Sequence, residues 1–234
     1  MINDYKKYLV VVAHPDDEVL GCGGTIKKLS RSNKNIKVIF IAEGTSCRYK
    51  KNQIKYKKEI SKSIKSRKKY ALNALKDLGV KNSEFYDLEC GKLNSIPITK
   101  ISNIIEEEIK IFRPDIIITH SDNDVNMDHK AVYQGCLQST RPTNKLNIIG
   151  GLLSFEILSS TEWKYSKIFE PNLFVNIDKE LKFKMKAIKR YKSEIRKFPH
   201  PRSIEAIDAL AKYRGTQSHN KYAEAFKIIR IFSK

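Results

Sequence analysis

The chain has 234 residues, 41% of them hydrophobic and 30% charged, which is enough for one α/β domain with a substantial core. No stretch approaches the ~18 consecutive apolar residues that span a bilayer, and the first apolar run is cut by His14 before it could serve as a signal-peptide core, so the expectation is a cytoplasmic protein. With 45 Lys and Arg against 26 Asp and Glu, a formal charge of +19 raises nucleic acid, an anionic surface or a phosphorylated substrate as partners without choosing among them. The four cysteines, Cys22, Cys47, Cys90 and Cys136, show neither paired spacing nor scaffold density and are read as reduced and structural.

Tyr8 to Ala13 reads as a buried strand and runs into His14-Pro15-Asp16-Asp17-Glu18 and the glycine-rich Gly21 to Gly24. A helix over about 17–30 and a strand over 36–42 complete a βαβ unit with a right-handed crossover, a Rossmann-like start. The glycine spacing is not that of a dinucleotide site, and carboxylates stand where a phosphate would sit. One imidazole and three carboxylates within five residues repel unless a cation or a proton offsets them. A metal site answers that need; an acidic first helical turn explains the same carboxylates, and both readings can hold at once.

Glu43 to Arg48 follows the second strand and faces the same crevice. Arg48 is either a grip for a substrate hydroxyl or phosphate or simply the first residue of the next helix. Between Arg48 and Lys69 eleven cations stand against the single acid Glu59, while Ile54, Ile60, Ile64, Ala71 and Leu75 recur at helical spacing. This predicts a helix with one buried stripe and a solvated basic face. No nucleic-acid motif accompanies the charge, so nucleic acid is disfavoured as a partner.

Phe85 to Leu88 is a short strand, and Thr99 opens a helix, capped by Thr99 or Ser102, that buries Ile101, Ile104, Ile105, Ile109 and Phe112. Arg113 to His120 is a further buried strand running into Ser121 to His129. Hydrolytic zinc sites take three ligands from imidazole and carboxylate and keep one position open, and His14, Asp17 and His129 would supply such a set. Taken alone, His129 is an ordinary first-turn histidine of the helix through Ala131, Val132 and Leu137. His120 is either in the crevice or a core histidine, and His219 is exposed.

Strands are predicted over 152–158 and 173–177, then a helix capped by Asp178 through Leu181, Met185, Ile188 and Tyr191. The segments 203–214 and 222–231 are helical in period. Without repeat or linker, residues 1–234 form a single domain.

Ala13 to Thr25 resembles the first motif of the LmbE-like, or PIG-L, family of zinc-dependent N-deacetylases, and Asp124 to Val132 resembles its second. Thr140 to Pro142, Ser160 to Trp163, His200 to Ser203 and Tyr222 to Phe226 extend the likeness over nearly the whole chain. The resemblance implies an α/β, Rossmann-like fold with a mostly parallel sheet flanked by helices. It implies that His14, Asp17 and His129 hold Zn2+, with another divalent metal as the alternative, and that Asp16 is the general base taking the proton of the attacking water. The implied substrate is a small molecule or glycan bearing an N-acetylated amino sugar of the N-acetylglucosamine type, phosphorylated or not. Relatives use an arginine in the loop of Arg48 for substrate contact.

Two departures stand out. Where many members carry an Asp-Asn-Arg-like segment, this chain has Glu89 to Asn94, with Glu89 and Asn94 as the substitutes. Where several relatives carry a histidine three residues before the last ligand, this chain has Asn126, which donates a hydrogen bond but delivers no proton. The amine's proton is then expected back from Asp16, with His200 or His120 as alternatives. Asn126 becomes an oxyanion or substrate contact, and Asp128 a group that orients a ligand. The competing readings are another amide or ester as substrate, and a basic protein that binds nucleic acid or an anionic surface.

Overall fold

Five of the six residues of β1 (Lys7–Val12) are buried, as a run of valine and leucine must be when neighbours cover both faces of a strand. The computed structural model describes residues 4–49, 57–142 and 149–232, and among these it forms one seven-stranded sheet with β1 inside it. The other strands are β2 (Asn35–Ala42), β3 (Asn82–Leu88), β4 (Ile116–Thr119), β5 (Gly151–Phe155), β6 (Leu173–Asn176) and β7 (Ala223–Ile231). The helices are α1 (Asp17–Arg31), α2 (Lys57–Leu78), α3 (Ile98–Phe112), α4 (Met127–Ser139), α5 (Leu181–Ile188) and α6 (Ile204–Thr216).

The strand order is β3-β2-β1-β4-β5-β7-β6. The first five run parallel, with Val10 opposite both Val38 and Ile118, while β7 is antiparallel to β5 and β6. This is the mostly parallel, Rossmann-like sheet flanked by helices that the resemblance implies. Successive β1 side chains point to opposite faces. Tyr8, Val10 and Val12 therefore join a core with residues of α1, α2 and α5, and Leu9, Val11 and Ala13 join a second core with α3 and α4. The chain reverses its direction across the sheet between β1 and β4, so the carboxyl ends of these two strands part and open a crevice.

The glycines of α1 serve packing. A Cβ on Gly21 would run into the Phe155 ring, and one on Gly24 would lie 2.8 Å from Ile177 Cγ2. They let α1 settle closely onto β5 and the end of β6.

Several elements differ from the sequence expectation. The segment 222–231 is strand β7, not a helix. Its Ala-Glu-Ala start favours a helix locally, but Ile228, Ile229 and Ile231 suit a strand, and pairing with two neighbours outweighs the propensity. Asp178 does not cap α5, which starts at Leu181; its carboxylate accepts from the Tyr222 N–H instead. Helix α3 begins after Pro97, capped by neither Thr99 nor Ser102. Lys50, Lys51, Ile54 and Lys55 of the predicted basic helix lie outside the described residues. No helix among the described residues is long and apolar enough to cross a membrane.

Candidate metal centre and its arginine frame

β1 delivers His14 to the crevice, and a tight turn follows in which the His14 N–H donates to Asp17 Oδ2 at 2.8 Å and the Asp17 N–H donates to the His14 carbonyl at 3.2 Å. Asp16, at the mouth of α1, has φ of 117°. From the neighbouring strand end, β4 and the loop to α4 bring His120, Asp124, Asp128 and His129. Asn126 caps α4, its side-chain oxygen accepting from the Asp128 N–H at 2.9 Å.

These two strand ends bring together one ligand atom each from His14, Asp17 and His129, all within 4.8 Å of one another. His14 Nδ1 lies 3.4 Å and His129 Nε2 3.3 Å from Asp17 Oδ2. The far nitrogen of each ring is held by its own carboxylate: His14 Nε2 lies 2.8 Å from Asp128 Oδ2, and His129 Nδ1 lies 2.9 Å from Asp124 Oδ2. Asp128 is fixed in turn by the N–H groups of Gly91 and Leu93, at 2.6 and 2.9 Å. Asp124 accepts from the Ser160 and Thr161 hydroxyls and from the Asn126 N–H. Carboxylate-backed imidazoles converging on a third ligand are the arrangement that metal sites use to orient their histidines.

The electrostatics ask for a cation. Asp17 Oδ1 is buried without a hydrogen bond, and His129 Nε2 has only Asp17 Oδ2 at 3.3 Å, which is costly unless something else satisfies them. Burial works against ionised Asp17, yet His129 and His14 hold its carboxyl well below the usual range. Burial would also lower His129, but Asp17 and Asp124 hold it up at about 10. A ring proton thus stands in for the counter-charge that a divalent ion bound by these three residues would provide. The residues fit a metal of the zinc type. Of the three adjacent carboxylates, Glu18 adds little repulsion, because burial pushes it up to about 8 and Tyr191 donates to it at 2.5 Å.

Asp16 has different partners from Asp17. Its carboxylate lies 3.1 Å from Arg67 Nη2 and accepts from Arg202 Nη1 at 2.9 Å. Burial raises its pKa, and Arg67 and Arg202 oppose that rise. Glu194 completes the frame by meeting Arg67 at 2.5 Å, Arg202 at 3.3 Å and Arg48 through two bonds of 2.9 and 2.7 Å. Arg67 also donates twice to the Pro15 carbonyl, at 3.0 and 2.8 Å.

Arg67 is therefore no part of a solvated basic face: it is 3% exposed and lies on the buried stripe of α2 with Ala71 and Leu75. That register was readable in the sequence, since position 67 falls at helical spacing from Ile60, Ile64 and Ala71. Arg48 sits at the rim of the frame, gripping Glu194. His200 is exposed and accepts from the Arg202 N–H, so Arg202 reaches Asp16 and His200 does not. His120 is fully buried and stacked on His129 at 4.0 Å between centroids; its Nε2 accepts from the Ala13 N–H, and burial holds its pKa at about 3. A ring so held has no acidic proton to give at neutral pH. Glu89 is exposed and pairs with Lys92, and Asn94 is exposed. Asp124 and Arg202 lie within segments that carry the family resemblance, which is their signal in the sequence, and Glu194 has no local signal at all.

The family model described as PIG-L, GlcNAc-PI de-N-acetylase, matches residues 9–140, more than half of the chain. A diacetylchitobiose deacetylase of Thermococcus kodakarensis is 25% identical over 97% of this chain and 84% of its own length. An uncharacterized deacetylase, YaiS, of Escherichia coli is 29% identical over 82% of this chain and 93% of its own. Among solved structures, N,N'-diacetylchitobiose deacetylase of Pyrococcus horikoshii superposes with a TM-score of 0.76 at 21% identity, covering 97% of this chain and 85% of that one.

Proposed function

Because the chain belongs to the PIG-L family, we propose that it is a metal-dependent N-deacetylase that removes the acetyl group from an N-acetylated amino sugar of the N-acetylglucosamine type. The observation that supports this reading best is the convergence of buried His14, Asp17 and His129, with Asp17 Oδ1 left without a hydrogen bond. Those three residues would hold the ion, zinc by preference, which supplies acidified water and polarisation of the amide carbonyl when bound. Asp128 and Asp124 keep the two imidazoles aimed and fix which ring nitrogen faces Asp17.

Asp16 takes the proton of the attacking water and returns it to the departing amine. Its position supports the role: it adjoins a ligand in sequence, yet its carboxylate is aimed by Arg67 and Arg202 rather than drawn into the histidine cluster. Neither His120, held neutral, nor His200, held outside, competes for the proton. The side-chain oxygen of Asn126 is occupied in capping α4, and its NH2 group can donate to the substrate's developing oxyanion.

The test is to incubate zinc-loaded protein and its Asp16→Asn variant with N-acetylglucosamine derivatives, neutral and phosphorylated, and to follow release of primary amine. The expected result is release by the wild type alone, abolished by a chelator, with metal still bound by the variant. No release from any derivative by metal-loaded wild type refutes the proposal.

A further inference from the structure

Two cysteines that are 43 residues apart in sequence meet beside the candidate metal centre. Cys47 lies in the turn after β2 and Cys90 in the turn after β3, and their sulfurs are 2.9 Å apart. Cys47 is exposed and Cys90 buried. Glu43 holds both turns in place, accepting from the N–H groups of Thr45 and Ser46 on one side and of Cys90 on the other. A Cβ on Gly91 would come within 3.0 Å of Cys47 Cβ, so the two turns are packed against each other with no space between them.

We propose that Cys47 and Cys90 form an oxidisable dithiol, a modification site closed by low-molecular-weight disulfides, and that closing it turns down the adjacent site. A disulfide needs its sulfurs at about 2.05 Å, so closure asks the two sulfurs, now 2.9 Å apart, to approach by roughly 0.9 Å. The exchange balances without other reactants. The Cys47 thiolate attacks one sulfur of the reagent and expels a first thiol; the Cys90 thiolate then attacks the Cys47 sulfur and expels the second. Two cysteine thiols are oxidised to one disulfide, and one reagent disulfide is reduced to two thiols. The exposed partner, Cys47, is the one that a reagent reaches first.

The link to function runs through the turn after β3. The N–H groups of Gly91 and Leu93, which follow Cys90, both donate to Asp128, and Asp128 holds the His14 ring. Drawing Cys90 toward Cys47 displaces those donors by a fraction of an ångström. The other turn carries Arg48, which grips Glu194 in the frame that aims Asp16. Disturbing the group that orients a metal-ligating histidine weakens metal affinity, by ~10–100-fold when that group is lost outright. A displaced but intact group should cost less, about three-fold or more. The formation of the disulfide stands on geometry alone; its effect on catalysis rests on the deacetylase reading.

The experiment exposes reduced wild type, Cys47→Ser and Cys90→Ser to oxidised glutathione, then counts free thiols and measures intact mass. Wild type should lose two of its four thiols without retaining glutathione, Cys90→Ser should retain one glutathione at Cys47, and Cys47→Ser should retain none. In oxidised wild type, zinc affinity by chelator competition and amine release should each fall about three-fold or more and recover with dithiothreitol. Cys90 still open to alkylation in treated wild type overturns the dithiol. A disulfide that leaves zinc affinity and amine release both unchanged overturns its control of the site. Zinc affinity reads that control even if no sugar is deacetylated, so failure of the activity assignment is told apart from failure of this proposal.

Discussion

Replacing Glu194 with glutamine removes the charge shared by three arginines. Glu194 is 3% exposed and touches Arg48, Arg67 and Arg202. Burial alone would raise its pKa, yet Arg48 and Arg67 hold it at about 2 against an ordinary 4.5, which corresponds to about 3 kcal/mol in favour of the folded, ionised form. The cost of stripping one partner from a buried ion pair, ~3–5 kcal/mol, agrees. For a chain of this size the melting temperature of Glu194→Gln should fall by roughly 6–12 °C at neutral pH. Because the folded pKa is depressed, the contribution is complete above about 4.5 and is lost as pH falls toward 2. The gap between wild type and variant, followed by thermal unfolding from pH 7 downward, should therefore be constant at first and narrow below about 4.5. A gap under about 2 °C at neutral pH, or one that does not shrink in acid, would refute the frame as a source of stability.

The remaining predictions concern the metal half and the packing beneath it. Asp124→Asn removes the carboxylate behind His129 and should weaken zinc binding by about 10–100-fold in chelator competition while the circular dichroism spectrum is kept; unchanged affinity would mean that Asp124 is a loop residue only. Gly21→Ala puts a methyl group against the Phe155 ring and should destabilise by ~1–3 kcal/mol in denaturant unfolding. Phe155→Leu in the same chain should return part of that loss, and a double variant no better than the single one would place the clash elsewhere.

The candidate metal cluster was legible in the sequence because its signals are local. An apolar run ending in His14 to Glu18 marks a strand edge, and a second run ending before Asp124 to His129 marks another. That the two edges are neighbours could not be read, since strand order is set by packing over the whole sheet. The arginine half was obscured for a different reason. Arg67 sits among lysines, and only its register on the stripe of α2 separates it from them. Glu194 is one acid in an irregular segment after α5, defined by partners 127 and 146 positions away, so no window around it carries a pattern. Strand β7 was misread because Ala223 and Glu224 outweigh three later isoleucines in a local reading, whereas the space between β5 and β6 decides. Cys47 and Cys90 are brought together by the parallel pairing of β2 and β3, which spacing alone cannot announce.

The two halves meet at the peptide between Asp16 and Asp17. Asp16 is the N-cap of α1 and Asp17 its first residue. Here Asp16 takes φ of 117°, a conformation that costs a non-glycine residue ~1–3 kcal/mol, and the two side chains part. Asp17 faces His14 and His129 while Asp16 faces Arg67 and Arg202. The same guanidinium that pairs with Asp16 also holds the Pro15 carbonyl, so Arg67 fixes both the backbone that bears the strain and the carboxylate that the strain redirects. The turn at Asp16 thus gives neighbouring aspartates separate partners, two histidines for Asp17 and two arginines for Asp16.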